Sequence, residues 1–267
     1  MRTGRDQLRE ALAAHAASEG CRLVGEAVGV AGLSKGIAGN LLRTPLSEAG
    51  TVGVAIGLAL AGTRVVVELI DPAGLARAAE ALAEAASLGT RSRGAFRAPM
   101  VVLLALPNDA VVPAMPDGVV LAVAGVAADA AGLFHAALSA RGPVVLLVSQ
   151  DALEGRGEGV VEAISEPVVR RAGAGATVFA EGAGVALALA ATSGVEVVDL
   201  RGCREPARLA SLAARTGRLV IVGHGDSRPL AAAQGGAFWR LEARPVSLHA
   251  AAGAHALAAA VSESLTP

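Results

Sequence analysis

The stretch that decides the fold is Thr44-Pro45-Leu46-Ser47-Glu48-Ala49-Gly50, which runs on to Gly62-Thr63-Arg64-Val65-Val66-Val67-Glu68-Leu69. A proline followed by a Ser-Glu pair is a helix start signal, so a helix is predicted over Ala49 to Ala61. Arg64 to Leu69 is β-branched and apolar, which predicts a buried strand. The same alternation recurs on either side. Arg22 to Val24 reads as a short strand. Ala73 to Leu88 reads as one helix, with Leu75, Ala79, Leu82 and Ala86 on one face and Arg77, Glu80 and Glu84 on another. Met100 to Leu106, Val119 to Val123 and Val144 to Val148 read as strands, with a helix over Asp129 to Ala140. A polar, glycine-rich break falls within Asp151 to Arg171 and marks a linker. Beyond it, strands at Ala176 to Ala180, Val195 to Leu200 and Arg218 to Val222 alternate with helices at Gly182 to Ala191 and Pro206 to Arg215. A last helix covers Gly253 to Ser264. Nearly all-apolar strands separated by helices argue for parallel sheets covered on both faces. The expected fold class is α/β: two tandem three-layer α/β/α domains with mostly parallel sheets, over residues 1–165 and 166–267.

Composition narrows the function. The 267 residues are 53% apolar, enough for a sizeable core in each domain. The uncharged stretch Ala49 to Thr63 is rich in small residues and falls short of the roughly 18 that a membrane span requires. Charge nearly balances, 23 basic against 24 acidic residues, so electrostatics gives no reason to expect nucleic acid or an anionic membrane as partner. Lys35 is the only lysine. Cys21 and Cys203 stand far apart, outside any CxxC, and the first ten residues are charged, without a signal-peptide core. A reduced, cytoplasmic setting is expected.

Three segments carry a resemblance: Leu23-Val24-Gly25-Glu26-Ala27-Val28-Gly29, then Arg43-Thr44-Pro45-Leu46-Ser47-Glu48-Ala49-Gly50, then Gly62 to Glu68. In order and spacing they resemble GEDV and DTPxSExGxxGxAxGxAxxGxRPVVE. That is the pattern of the β subunit of the thiamine-diphosphate-dependent E1 component of 2-oxoacid dehydrogenase complexes. Looser likeness continues through Arg91-Ser92-Arg93-Gly94, Gly142 to Leu147, Gly194 to Arg201 and Thr216 to Val222. The resemblance implies a transketolase-like pyrimidine-binding domain followed by a transketolase C-terminal-like domain. It implies thiamine diphosphate at a site shared with an E1 α-like subunit, which would hold the Mg²⁺. It further implies self-association, an E2 acyltransferase as a possible partner, and oxidative decarboxylation with acyl transfer to lipoamide.

The resemblance puts Glu48 where a carboxyl hydrogen-bonds N1′ of the cofactor's aminopyrimidine and favours the imino tautomer that deprotonates thiazolium C2. Such a group works best desolvated, with its pKa raised toward neutrality. From the residues alone, without the flanking resemblance, Glu48 reads as a helix N-terminal carboxylate. Glu26 is placed as a supporting acid, or else as a solvated loop carboxylate, and Leu46 as a cofactor contact. Gly50, Gly53, Gly57 and Ala61 share one helix face, which either meets another subunit or packs on the chain's own sheet.

Several family features are missing. The family's stacking phenylalanine is replaced by Gly74, beside Asp71-Pro72. The interval Pro107 to Gly118 contains no histidine where the family carries an active-site histidine loop. The metal-holding GDG…N motif belongs to the family's α subunit, so the resemblance implies its absence here; His224-Gly225-Asp226-Ser227 only partly echoes it. A glycine-containing helix after Val222 is expected to be mostly lost, with Arg228 to Gly236 in its place. Among the histidines His224, at a strand's end, is the best remaining candidate; His249 and His255 read as surface residues. No metal site made by this chain alone is expected. Gly182-Ala183-Gly184 lacks the third glycine of a dinucleotide loop. A catalytically inactive E1β-like scaffold is therefore the alternative to an active subunit.

Overall fold

The structure, a computed structural model, describes residues 1–159, 161, 163–225 and 228–266. The chain divides into two compact units: Met1–Leu106 with Met115–Ile164, and Pro107–Ala114 with Ser165–Pro267. The sequence placed residues 107–114 wholly in the first half; they cluster instead with the second unit.

The first unit runs α1 (Gly4–Ala17), β1 (Cys21–Gly25), β2 (Leu41–Arg43), α2 (Glu48–Leu60), β3 (Arg64–Glu68), α3 (Ala73–Arg77), α4 (Ala79–Arg91), β4 (Met100–Leu106), β5 (Val120–Ala124), α5 (Ala127–Leu138), β6 (Pro143–Ser149) and α6 (Gln150–Glu154). Its six strands are all parallel, in the order β2-β1-β3-β4-β6-β5. Val66, Val101, Leu103, Val144 and Leu146 face Leu8 and Leu12 of α1 and Leu133 and Phe134 of α5. Side chains alternate along a strand, so Val65, Val67, Val102 and Leu104 point to the other face. Helices α2 and α4 pack together there, with α2 against β3.

The second unit contains β7 (Val168–Arg171), β8 (Thr177–Ala180), α7 (Ala183–Ala191), β9 (Glu196–Asp199), α8 (Pro206–Ala213), β10 (Leu219–Gly223), α9 (Arg228–Ala237), β11 (Val246–His249) and α10 (Gly253–Leu265). The sheet order is β11-β10-β8-β9-β7, parallel except for β7, which runs antiparallel to β9. Helices α8 and α9 cover one face through Leu209, Ala213, Ala233 and Ala237. Helices α7 and α10 pack together and against β10. No helix among the described residues is long and apolar enough to cross a membrane.

Two expectations need correction. The single helix over Ala73 to Leu88 is two, α3 and α4, parted at Ala78 (φ −90°, ψ −4°). No proline marks the break. The buried face is then Leu75, Ala78, Leu82 and Ala85: the leucines are as expected, while Ala78 and Ala85 take the places of Ala79 and Ala86. Secondly, Arg228 to Gly236 does not replace a helix but forms one, α9, despite Pro229, Gly235 and Gly236.

Candidate functional site

In a parallel sheet the strands' carboxyl ends share one edge, and loops gather there. Strand β2 delivers the chain to Thr44, whose hydroxyl bonds that of Thr51 at 2.7 Å. Ser47 caps α2, its Oγ accepting from the Gly50 amide. Glu48 is thereby the first residue of the helix, where its charge is favoured by the backbone dipole.

Its carboxylate accepts from the Arg77 guanidinium, and the same Arg77 Nη2 reaches Asp71 Oδ2 at 3.0 Å. Asp71 in turn accepts from the Ala73 amide at the start of α3. Gly74 lies under the cluster: a Cβ there would stand 2.9 Å from Glu48 Cγ. The residue that stands for the family's stacking ring is small because Glu48 occupies the space above it. The Glu48 side chain is 11% exposed. The Arg77 hydrogen bond holds its carboxyl below the usual glutamate range, against the opposing push of burial. The expected carboxyl raised toward neutrality is thus not what this chain holds: the shift is downward, and Oε1 of Glu48 is engaged by Arg77.

Glu26 follows β1 and is half-buried, with no side-chain hydrogen bond or ion pair among the described residues. It shares the carboxyl edge with Glu48, since β1 and β2 are neighbours, yet no bond joins the two acids. Leu46 is 79% exposed.

Glu68 was quoted in the motif without a role. It ends β3 only 2% exposed and anchors the loop after β1. Its Oε1 accepts from the Leu33 and Ser34 amides, at 2.5 and 3.1 Å, and its Oε2 from the Ser34 hydroxyl. Burial pushes its pKa up against these bonds. A glutamate closing an apolar strand was the available signal, because buried acids are nearly always paired.

The glycine-bearing face of α2 is open. Gly50, Gly53, Val54, Gly57, Leu60 and Ala61 are exposed, and a Cβ at Gly53 or Gly57 would meet nothing within 4 Å. Close packing on the chain's own sheet does not explain these glycines.

In the second unit the strand order reverses at β8 and β10, where open α/β sheets commonly bind ligands. Here the chain fills that place itself. His224 is buried, and its Nδ1 lies 3.0 Å from the Ala110 carbonyl while its Nε2 lies 3.3 Å from the Ala183 amide. A carbonyl only accepts and an amide N–H only donates, so Nδ1 carries the proton and the ring is neutral. Burial likewise lowers its pKa. Gly182 (φ +58°) is a glycine because a Cβ would sit 2.4 Å from His224 Nε2. The Gly-Ala-Gly segment therefore seats a histidine and leaves the first amide of α7 engaged. His249, half-buried rather than on the surface, shares the Ala110 carbonyl through Nε2 at 3.2 Å. Asp226 and Ser227 of the partial metal motif lie outside the described residues.

No protein-family model matches the chain, and no curated protein does. Among solved structures it is similar to a split-gene transketolase described as an inactive β4 tetramer. That likeness has a TM-score of 0.73 and 18% identity and covers 98% of this chain and 97% of that one. It is similar to a 2-oxoglutarate:ferredoxin oxidoreductase from Magnetococcus marinus, with a TM-score of 0.66 and 10% identity over 99% of this chain and 65% of that one. It is also similar to transketolase from Leishmania mexicana, with a TM-score of 0.69 and 16% identity over 98% of this chain and 44% of that one. The chain thus spans nearly all of the split protein but under half of the full-length one. At these identities the likeness is one of fold: the transketolase-like α/β pair that the sequence implied.

Thiamine diphosphate, the cofactor implied by the resemblance, would have to displace Arg77, whose side chain is 51% exposed, to reach Oε1 of Glu48. Arg77 holds the carboxylate that would meet the aminopyrimidine, and Gly74 offers no ring beside it.

Proposed function

We propose that this chain is a non-catalytic, E1β-like assembly subunit of a split thiamine-diphosphate protein. The observation that carries this reading is the Glu48–Arg77–Asp71 cluster, which engages the main candidate cofactor carboxylate with the chain's own cation. Proton transfer by a positioned side chain typically contributes 10²–10⁴-fold to a rate. Neither an unpaired Glu48 nor a histidine between β4 and β5 is present to supply it. What the chain retains is a docking face, α2, open and lined by glycine. The partners it fits are a second copy or an E1 α-like chain carrying the diphosphate-side motif.

The active form of the reading keeps the same assembly. In it the partner displaces Arg77, thiamine diphosphate is shared across the contact, and Mg²⁺ is held by the partner. Glu48 and Glu26 then face the cofactor beside Leu46, for 2-oxoacid decarboxylation with acyl transfer to lipoamide and an E2 acyltransferase. The position of Glu48 at the head of α2 favours it; the Arg77 contact opposes it.

The docking face is tested at Gly53. Gly53→Ala fills open space and replaces a poor helix former, so the fold gains about 0.5–1 kcal/mol. Gly53→Arg leaves the isolated fold intact but blocks close approach of another backbone. Sedimentation velocity is expected to show an assembly of more than one chain, either of copies or with a co-purifying partner, that Gly53→Arg dissociates. An assembly unaffected by Gly53→Arg contradicts the reading. So does a monomer at every concentration with no partner chain.

A further inference from the structure

We infer that the first unit carries an anion site on the edge of its sheet opposite Glu48, independent of the proposed function. The groove lies at the amino ends of β4, β5 and β6, is open to solvent with a volume of about 570 Å³, and is lined by Arg93, Arg97 and Arg141 together with Thr90. No aspartate or glutamate lines it. Some of the chain's other arginines meet carboxylates, as Arg91 meets Glu84, Arg204 meets Glu181, Arg215 meets Glu196 and Arg218 meets Glu242. Arg93, Arg97 and Arg141 have no ion-pair partner among the described residues. All three arginines are exposed, and they bring three positive charges to one groove.

Arg93 and Arg97 lie four residues apart just after α4, and Arg141 lies between α5 and β6, so the end of one helix does not account for all three. Arg93 holds a left-handed backbone (φ 52°) just past α4, a conformation L-residues rarely adopt. Arg97 lies along two glycines. Its Nη2 is 3.8 Å from where a Gly94 Cβ would be, and its Cγ is 3.9 Å from that of Gly89. Arg141 precedes β6 from the far side of the groove. Planar guanidinium groups suit the paired oxygens of phosphate and carboxylate. The volume is that of a small-molecule site. The ligand class is a small anion of two or more negative charges, either a diphosphate or a polycarboxylate.

The test is thermal unfolding of the whole chain titrated with inorganic pyrophosphate and, separately, with citrate, both at constant ionic strength. The two arms distinguish the two sources of the charge. Expected is a saturable rise in Tm with one of them. Its half-saturation should weaken by about tenfold or more in Arg97→Gln and again in Arg141→Gln, since bonds to a charged ligand are each worth about a decade of affinity. Without ligand neither substitution should lower Tm, because neither arginine has a partner to lose. Equal titrations for wild type and the double variant, a rise reproduced by sodium chloride, or no rise with either anion would overturn the site.

Discussion

Replacing Glu68 with alanine is expected to destabilise the first unit by about 3–5 kcal/mol, the range for opening a buried, hydrogen-bonded charged site. Three donors lose their acceptor at once: the amides of Leu33 and Ser34 and the Ser34 hydroxyl. Ser34 Oγ also accepts from the Gly29 amide, so the loss spreads along the loop after β1. Glu68→Gln keeps one oxygen for the two amides and removes a charge that burial disfavours, so a loss within about 1 kcal/mol is expected. The folded-state pKa is raised, so the folded protein holds this proton above the pH at which the unfolded chain releases it. The contribution is therefore full below the unfolded value and lost as pH rises through the folded one. Glu68→Gln should remove that slope. Urea unfolding across this pH range, with hydrogen exchange at the Leu33 and Ser34 amides, checks both points. Equal losses in the alanine and glutamine variants would show that the ionised carboxylate, and not the packing or the one acceptor oxygen that glutamine keeps, is at stake.

Arg204→Ala is expected to cost the second unit about 3 kcal/mol. Arg204 grips Glu181 as a fork, Nη1 to Oε1 at 3.0 Å and Nη2 to Oε2 at 2.7 Å. Glu181 ends β8 with its side chain only 10% exposed. Without the guanidinium, the Gly202 amide at 2.9 Å is the hydrogen-bond donor left to it among the described residues. Arg204→Lys should recover part of the loss, because an ammonium is a point charge that cannot match both oxygens. Urea unfolding of the three proteins orders them wild type, lysine, alanine. A silent alanine variant would mean that water replaces the arginine without penalty.

The central strands were legible because five to seven residues buried on both faces leave an unbroken apolar run, as in Met100–Leu106 and Pro143–Ser149. The sheet edges were not. Strands β2, β7 and β11 are three or four residues long and partly exposed, too short and mixed for a period to show. The address of Glu48 was legible from its flanking motif. Its neighbour was not: Arg77 lies 29 positions on and arrives through the unmarked break between α3 and α4. The expected exposure of the glycine face also depended on packing that residue spacing leaves open. His224 illustrates the converse. A strand-end histidine beside a glycine-rich turn suggested chemistry, whereas both ring nitrogens serve the fold.

The engagement of Glu48 by Arg77 is what the functional account depends on, and calorimetry addresses it directly. Thiamine diphosphate with Mg²⁺ is titrated into the chain alone and into the assembly purified from its native source, each as wild type and as Glu48→Ala. The account predicts no binding to the chain alone and the same heat for both forms of the assembly, because the carboxylate is already spoken for. Binding by the assembly that weakens tenfold or more in Glu48→Ala would contradict it and establish Glu48 as a cofactor contact.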